Sequence, residues 1–236
     1  MEIIRPKGFF NIAELQKKLF PNTESADCNK CGLFRGVRSP RMDVTGFGLK
    51  NALILGEAPG ETEDSKNIQF MGKAGQILRT VLLNLDLDLD RDFWKINSVN
   101  CRPTKVEKGR ATNRAPTKKE VSYCRPTWKD AIKKKKPRFI LLLGAKAVEA
   151  FFGDRKNKIF TTDLTIGRWR RLCIPDPVHN AWVIPILPPS FTQYQSEFYK
   201  LFSDDVKWAV SCLNEESPVF EDELSKIYTT KKLDTI

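Results

Sequence analysis

The stretch Asn51–Leu78, NALILGEAPGETEDSKNIQFMGKAGQIL, decides the fold. Ala52, Leu53, Ile54 and Leu55 form a short apolar run that stops at glycine. Gly56-Glu57-Ala58-Pro59-Gly60 follows, with two glycines, a proline of fixed φ and one carboxylate. This predicts a buried strand ending in a tight turn. Beyond Gln69-Phe70-Met71-Gly72-Lys73-Ala74-Gly75, the run Gln76–Leu83 spaces its apolar side chains as a helix does. Strand, glycine turn, helix is how an α/β sheet presents a site at its strand ends. The turn is neither a P-loop, whose lysine and hydroxyl are missing, nor a dinucleotide fingerprint, since no G-x-G-x-x-G occurs.

The flanking sequence repeats the pattern. Phe93–Asn100 reads as a second strand running into Cys101-Arg102-Pro103, which puts Asn97 near a strand end, and Leu85–Asp90 reads as a connection. Thr117-Lys118-Lys119-Glu120 is a capping box opening a helix with Val121, Cys124, Trp128 and Ile132, closed by the basic run Lys133–Lys136. Arg138–Gly144 is the clearest buried strand, with a helix over Ala145–Phe152. Trp182–Leu187 is the last core strand, ending at Pro188-Pro189-Ser190-Phe191 before a helix from about Gln193 to Leu213. Residues 104–116, TKVEKGRATNRAP, read as a basic loop. Gly167-Arg168-Trp169-Arg170-Arg171 suits a nucleic-acid surface or an ordinary hairpin. Asn11–Phe20 reads as an amphipathic helix. The fold expected is α/β, a three-layer α/β/α with a central, mostly parallel four-stranded sheet. Residues 1–214 form a single domain in this reading, and residues 215–236 a charged C-terminal extension. GEAPG, Asn97 and Pro188–Ser190 then converge on one crevice.

Composition bounds the partners. Forty Lys plus Arg against 29 Asp plus Glu give a formal charge of +11, which favours a polyanion such as nucleic acid. No apolar run approaches the ~18 residues of a membrane span, and Met1–Pro6 lacks the apolar region of a signal peptide. A soluble, cytoplasmic monomer with no membrane partner is the expectation. Six cysteines in a reducing compartment argue against disulfides. Cys28-Asn29-Lys30-Cys31 is a C-x-x-C pair, and Cys101 and Cys124 each stand in a Cys-Arg-Pro tripeptide, so four ligands in two groups are plausible. Cys173 and Cys212 read as core thiols.

The segments CNKCGL, GFGLKNALILGEAPG, QFMGKAGQIL, INSVNCRP, NRAPTKKEVSYCRP, PRFILLLGAKA and IGRWRR together resemble the iron-sulfur uracil-DNA glycosylases of the family-4 type, over roughly Cys28 to Leu213. The resemblance implies a [4Fe-4S] cluster on Cys28, Cys31, Cys101 and Cys124, with zinc as the competing ion for four cysteines. It implies a monofunctional DNA glycosylase, which extrudes one nucleotide from single- or double-stranded DNA and hydrolyses its N-glycosidic bond. By motif, Glu57 lies near the sugar and water, Phe70 stacks on the base, and Asn97 hydrogen-bonds its Watson-Crick edge, all three facing one cavity. Glu63 walls the pocket near the pyrimidine C5, and Pro188 and Ser190 complete it. Lys73, Arg168, Arg170 and Phe191 are the DNA-binding candidates, Phe191 either as a wedge or as packing.

Two departures from the family pattern stand out. The spacing from Cys101 to Cys124 is longer than usual, with the extra residues in the basic loop. The family's His-Pro-Ser stands here as Pro188-Pro189-Ser190, and the sole histidine, His179, lies upstream in what reads as a surface loop. A lost donor to the departing base costs on the order of 10²-fold in rate, by comparison with an oxyanion contact. This leaves uracil or a modified pyrimidine as the base. The hydroxymethylated or glucosylated cytosines of some phage DNA would fit a rebuilt pocket and a role in phage defence. The other reading is an inactive iron-sulfur DNA-binding protein.

Overall fold

The computed structural model describes residues 26–153, 165–193 and 197–213. The helix expected over Asn11–Phe20 and the extension over 215–236 lie outside them. The strands are β1 (Ala52–Gly56), β2 (Phe93–Asn97), β3 (Thr104–Glu107), β4 (Arg110–Asn113), β5 (Phe139–Leu143), β6 (Ile174–Asp176) and β7 (Ala181–Ile186). The described helices are α1 (Cys28–Cys31), α2 (Glu61–Lys66), α3 (Lys73–Leu83), α4 (Leu89–Asp92), α5 (Lys118–Lys135), α6 (Ala145–Phe152), α7 (Ile166–Trp169) and α8 (Glu197–Leu213).

The main sheet runs β2-β1-β5-β7-β6. Its first four strands are parallel, as expected, and β6 adds a fifth that pairs antiparallel with β7. That strand left no signal in the sequence, because it is three residues long and contains Pro175, which is tolerated at a sheet edge. Side chains alternate across the sheet. Ala52, Ile54, Phe93, Phe139, Leu141 and Ile184 pack with Leu78, Val81 and Leu82 of α3 and with Phe202, Val206 and Ala209 of α8. Leu53, Leu55, Ile96, Ile140, Leu142 and Val183 pack on the other face with Trp128 and Ile132 of α5 and with Val148 and Phe151 of α6. Burial on both faces is why β1 and β5 read as unbroken apolar runs, each fully buried Leu or Ile stabilising by about 1.5–3 kcal/mol.

Three further expectations change. Residues 104–113 form the antiparallel β3–β4 hairpin rather than a loop. Residues Ile166–Trp169 form a single helical turn, neither hairpin nor strand. Pro189–Gln193 forms a 3-10 turn where the sequence predicts the start of the last helix, and α8 is described from Glu197 to Leu213. The capping box of α5 forms as read, with Thr117 Oγ1 accepting from the Glu120 N–H and Glu120 Oε2 accepting from the Thr117 N–H. Cys173 and Cys212 are buried core thiols, as expected. Among the described residues no helix is long and apolar enough to cross a membrane.

Candidate functional site

The carboxyl ends of β1 and β2 are in register, with Gly56 opposite Asn97. Gly56 is glycine because nothing larger fits. A Cβ there would lie 2.4 Å from Asn97 Oδ1 and 2.8 Å from Phe70 Cζ. The amide of Asn97 and the ring of Phe70 therefore meet over one backbone position. Ser98 donates from both N–H and Oγ to the Gly56 carbonyl, at 2.8 and 2.7 Å, and the Val99 N–H reaches the Glu57 carbonyl at 3.1 Å, so the turn is tied to the strand beside it. Asn97 is 4% exposed, and none of the described residues hydrogen-bonds its side-chain amide.

Phe70 is held in an unusual backbone state, φ +58°, which costs a non-glycine residue free energy unless its surroundings impose it. Two neighbours impose it. Gly75 in α3 lies against its backbone, where a Cβ would come within 2.0 Å of the Phe70 carbonyl oxygen. Gln69, fully buried, donates to the Asp43 carbonyl at 2.5 Å and accepts from Thr45 Oγ1 at 2.7 Å. Gly56→Ala is expected to destabilise the fold by about 1–3 kcal/mol, the ordinary cost of overpacking, and to displace Phe70 or Asn97. Thermal unfolding and a crystal structure of the variant check both effects.

Glu57 follows Gly56 directly, just past the end of β1. It borders a cavity of about 440 Å³ lined also by Gly144, Lys146, Arg170, Pro188 and Phe191, within the range of small-ligand sites. Burial raises the Glu57 carboxyl above the ordinary glutamate range, and the Lys146 ammonium pulls it partly back. None of the described residues hydrogen-bonds its carboxylate. Glu57, Pro188 and Phe191 line this hollow, and Phe70 and Asn97 flank Gly56, the residue before Glu57. Pro188 is seated on Gly144, whose φ of +85° and close approach, 2.9 Å from a would-be Cβ to the proline ring, leave room for no side chain. Ser190 is exposed on the 3-10 turn and outside the cavity lining.

The other assigned residues are placed by their own contacts. Glu63 is a latch, its two oxygens accepting the N–H groups of Gly60 at 3.1 Å and Gly72 at 2.7 Å and so joining the turns before α2 and α3. Arg170 binds the fully buried Asp205 of α8 through Nε at 3.1 Å. Asp205 also accepts the Leu187 N–H at 3.1 Å, so the pair fixes the chain entering Pro188. Its charge is spent inside the protein because a buried carboxylate demands a partner. Phe191 stacks on Phe198 with centroids 4.1 Å apart, as packing requires. Lys73 and Arg168 are exposed. His179 is not at the surface. It bonds Asp176 at 2.5 Å among Trp128 and Phe151, ahead of the first residue of β7 and a full strand length from Pro188. Lys146 gives no sign of itself in the sequence, because a lysine in the first turn of a helix looks like an ordinary solvated charge.

The four cysteines are neighbours. Burial raises the Cys101 thiol, with Cys31 and Cys28 adding electrostatically, and burial likewise pushes Cys124 up to about 11, with Cys101 and Cys31 adding to it. Backbone N–H groups point at two of the sulfurs, Arg41 at Cys101 (3.2 Å) and Asn100 at Cys124 (3.3 Å). Among the described residues no three His, Cys, Asp or Glu side chains converge as ligands of one metal ion do.

Fold and crevice together define a class, that of α/β/α proteins whose parallel strands carry a glycine turn, an aromatic ring, an amide and a carboxylate at one end. The profile of the Uracil DNA glycosylase superfamily matches residues 47–209, and the chain belongs to that superfamily. A type-4 uracil-DNA glycosylase of Saccharolobus solfataricus is 29% identical over 185 residues, 78% of this chain and 81% of its own. That of Pyrobaculum aerophilum is 35% identical over 136 residues, 56% and 65% of the two chains. That of Thermotoga maritima is 30% identical over 166 residues, 70% and 78%.

Proposed function

We propose that this chain is a monofunctional DNA glycosylase that extrudes a uracil or a modified pyrimidine, such as a hydroxymethylated or glucosylated cytosine, and hydrolyses its N-glycosidic bond to leave an abasic site. The observation that carries the reading is the convergence of the Asn97 amide and the Phe70 ring on Gly56, with the Glu57 carboxylate on the next residue. Bond cleavage places positive charge on the sugar and negative charge on the departing base. Phe70 offers a face for the base to stack on and Asn97 an amide for its polar edge. Glu57 supplies the negative charge beside the sugar and orients water. Lys146, which lines the same cavity and pairs with Glu149 at 2.9 Å, offers a cation to the departing anion where the superfamily pattern carries a histidine and this chain carries Pro188. Lys73 and Arg168 contact the phosphates.

Cys28, Cys31, Cys101 and Cys124 would hold a [4Fe-4S] cluster. The fit rests on an all-thiol donor set and on N–H groups aimed at sulfur, which favour ligated thiolates. Bound there, the cluster would join α1, the loop after β2 and α5 through those four thiolates and would supply structural support.

Incubation with duplexes bearing uracil or a modified cytosine, alkaline cleavage of abasic sites and mass spectrometry of the released base test the proposal. Absence of release from every substrate by a protein that still binds DNA overturns it. A pH profile tests Glu57 separately. Burial disfavours the charged form, so the carboxylate is populated only above a raised pKa and folding is favoured as pH falls through it. The rate of release is therefore expected to rise with pH through a value above the ordinary glutamate range, and Glu57→Gln to flatten that limb.

A further inference from the structure

The β3–β4 hairpin has no counterpart in the roles assigned above. Its pairing runs from Thr104 opposite Asn113 to Glu107 opposite Arg110, closed by Lys108 and Gly109, both with positive φ. A two-residue turn with two positive φ values matches the twist of the strands it joins. The ribbon is a two-stranded sheet of its own among the described residues, and Val106 is 76% exposed. A free two-stranded ribbon is marginal in water on its own, yet this one is fastened at its base. Arg102 Nε donates to Asn113 Oδ1 at 2.6 Å, and Arg114 Nε donates to the Thr104 carbonyl at 3.0 Å while its guanidinium pairs with Glu120. Arg102 and Arg110 both reach Glu61, the first residue of α2, at 3.4 and 3.7 Å, and Asn113 lies against Gly60. The hairpin thus rises from the rim of the glycine turn that carries Glu57.

We propose that this hairpin is a DNA-contacting arm, which lays its basic ribbon into a groove of the duplex flanking the extruded nucleotide. The inference rests on the glycosylase reading and extends it to how the duplex is gripped. Three cations, Lys105, Lys108 and Arg110, stand against two carboxylates, Glu107, which pairs with Lys105 at 2.7 Å, and Glu61 at the rim, which Arg110 reaches at 3.7 Å, so the ribbon itself stays net positive. A two-stranded ribbon is of the width that the major groove admits. An exposed apolar residue on a rigid basic arm suits the sugar and base edges of a groove better than bulk water. Its place on the rim, rather than at the far end of the sheet, puts it over whatever duplex enters the crevice.

The test is equilibrium binding of an unmodified duplex across a salt series, with the wild-type chain, K105A/K108A/R110A, and a charge-matched control, K133A/K134A/K136A, at the opposite end of the sheet where α5 hands over to β5. Removing one phosphate contact lowers the slope of log affinity against log salt by about 0.9. The arm variant is expected to lose a slope of about 2 and the control almost none, with thermal unfolding unchanged in both. Equal losses in the two variants, or an unchanged slope in the arm variant, overturn the arm. A wild-type chain that binds no DNA overturns the glycosylase reading with it. Binding that persists without base release in the separate assay overturns only the chemistry.

Discussion

Replacing Asn97 with alanine is expected to lower the single-turnover rate of base release about 10²–10³-fold, or roughly 2.7–4 kcal/mol of barrier, which is the usual cost of removing one preorganised donor to a developing anion. The fold should survive the change. The side chain sits at a strand end, and none of the described residues hydrogen-bonds its amide. The loss is therefore expected in the rate, not in thermal stability, and affinity for an unmodified duplex should hardly move because that affinity comes from phosphate contacts. The chemistry also predicts asymmetry between substrates. An amide that donates to one edge and accepts at another discriminates among bases by what it leaves unpaired, so Asn97→Asp should shift the preference among substrates, not merely slow all of them. A rate within tenfold of wild type for Asn97→Ala would show that this amide does not contact the base.

The parallel sheet and the crevice at its carboxyl ends are readable from the sequence because apolar runs, glycine turns and caps are local signals. What is not readable depends on partners far along the chain. Arg170 looks like a DNA contact because a charge does not announce its counterion. The clue is Asp205, a carboxylate set among Phe202, Val206 and Ala209 on the buried face of α8. Glu63 falls to the pocket by motif, yet its spacing of three from Gly60 is already the spacing of a helix cap. The β3–β4 hairpin reads as a loop because only Val106 and Ala111 are apolar, too few for an alternating pattern. Lys108-Gly109 is the turn signal within it. The cavity beside Glu57 is assembled from β1, α6, β7 and the 3-10 turn, and no single stretch of sequence records that.

The second large effect is expected at Cys124. In the absence of a ligand, Cys124→Ser is a mild change, since a buried hydroxyl without a partner costs about 1–3 kcal/mol and the Asn100 N–H can turn from sulfur to oxygen. With a cluster the result differs in kind, because ligand binding is coupled to folding and one missing thiolate forfeits much of that free energy. The loss spreads along identifiable contacts. Cys28 and Cys31 are the first and last residues of α1, which packs on α5. The chain after α1 is tied to α2 where Asp64 accepts the N–H groups of Arg38 and Ser39, at 3.0 and 2.9 Å, and to Gln69 through Asp43 and Thr45. Gln69 adjoins Phe70. Cys124→Ser should therefore lose bound iron and its thiolate-to-iron visible absorption, drop in melting temperature by far more than Cys212→Ser, and fail in base release, since Asn100, whose N–H points at Cys124, also accepts the Asn97 N–H at 3.2 Å. Metal analysis of the purified chain separates the two candidate ions. Zinc in place of iron would replace the cluster assignment, and a Cys124→Ser protein that keeps its full metal content would remove Cys124 from the ligand set altogether.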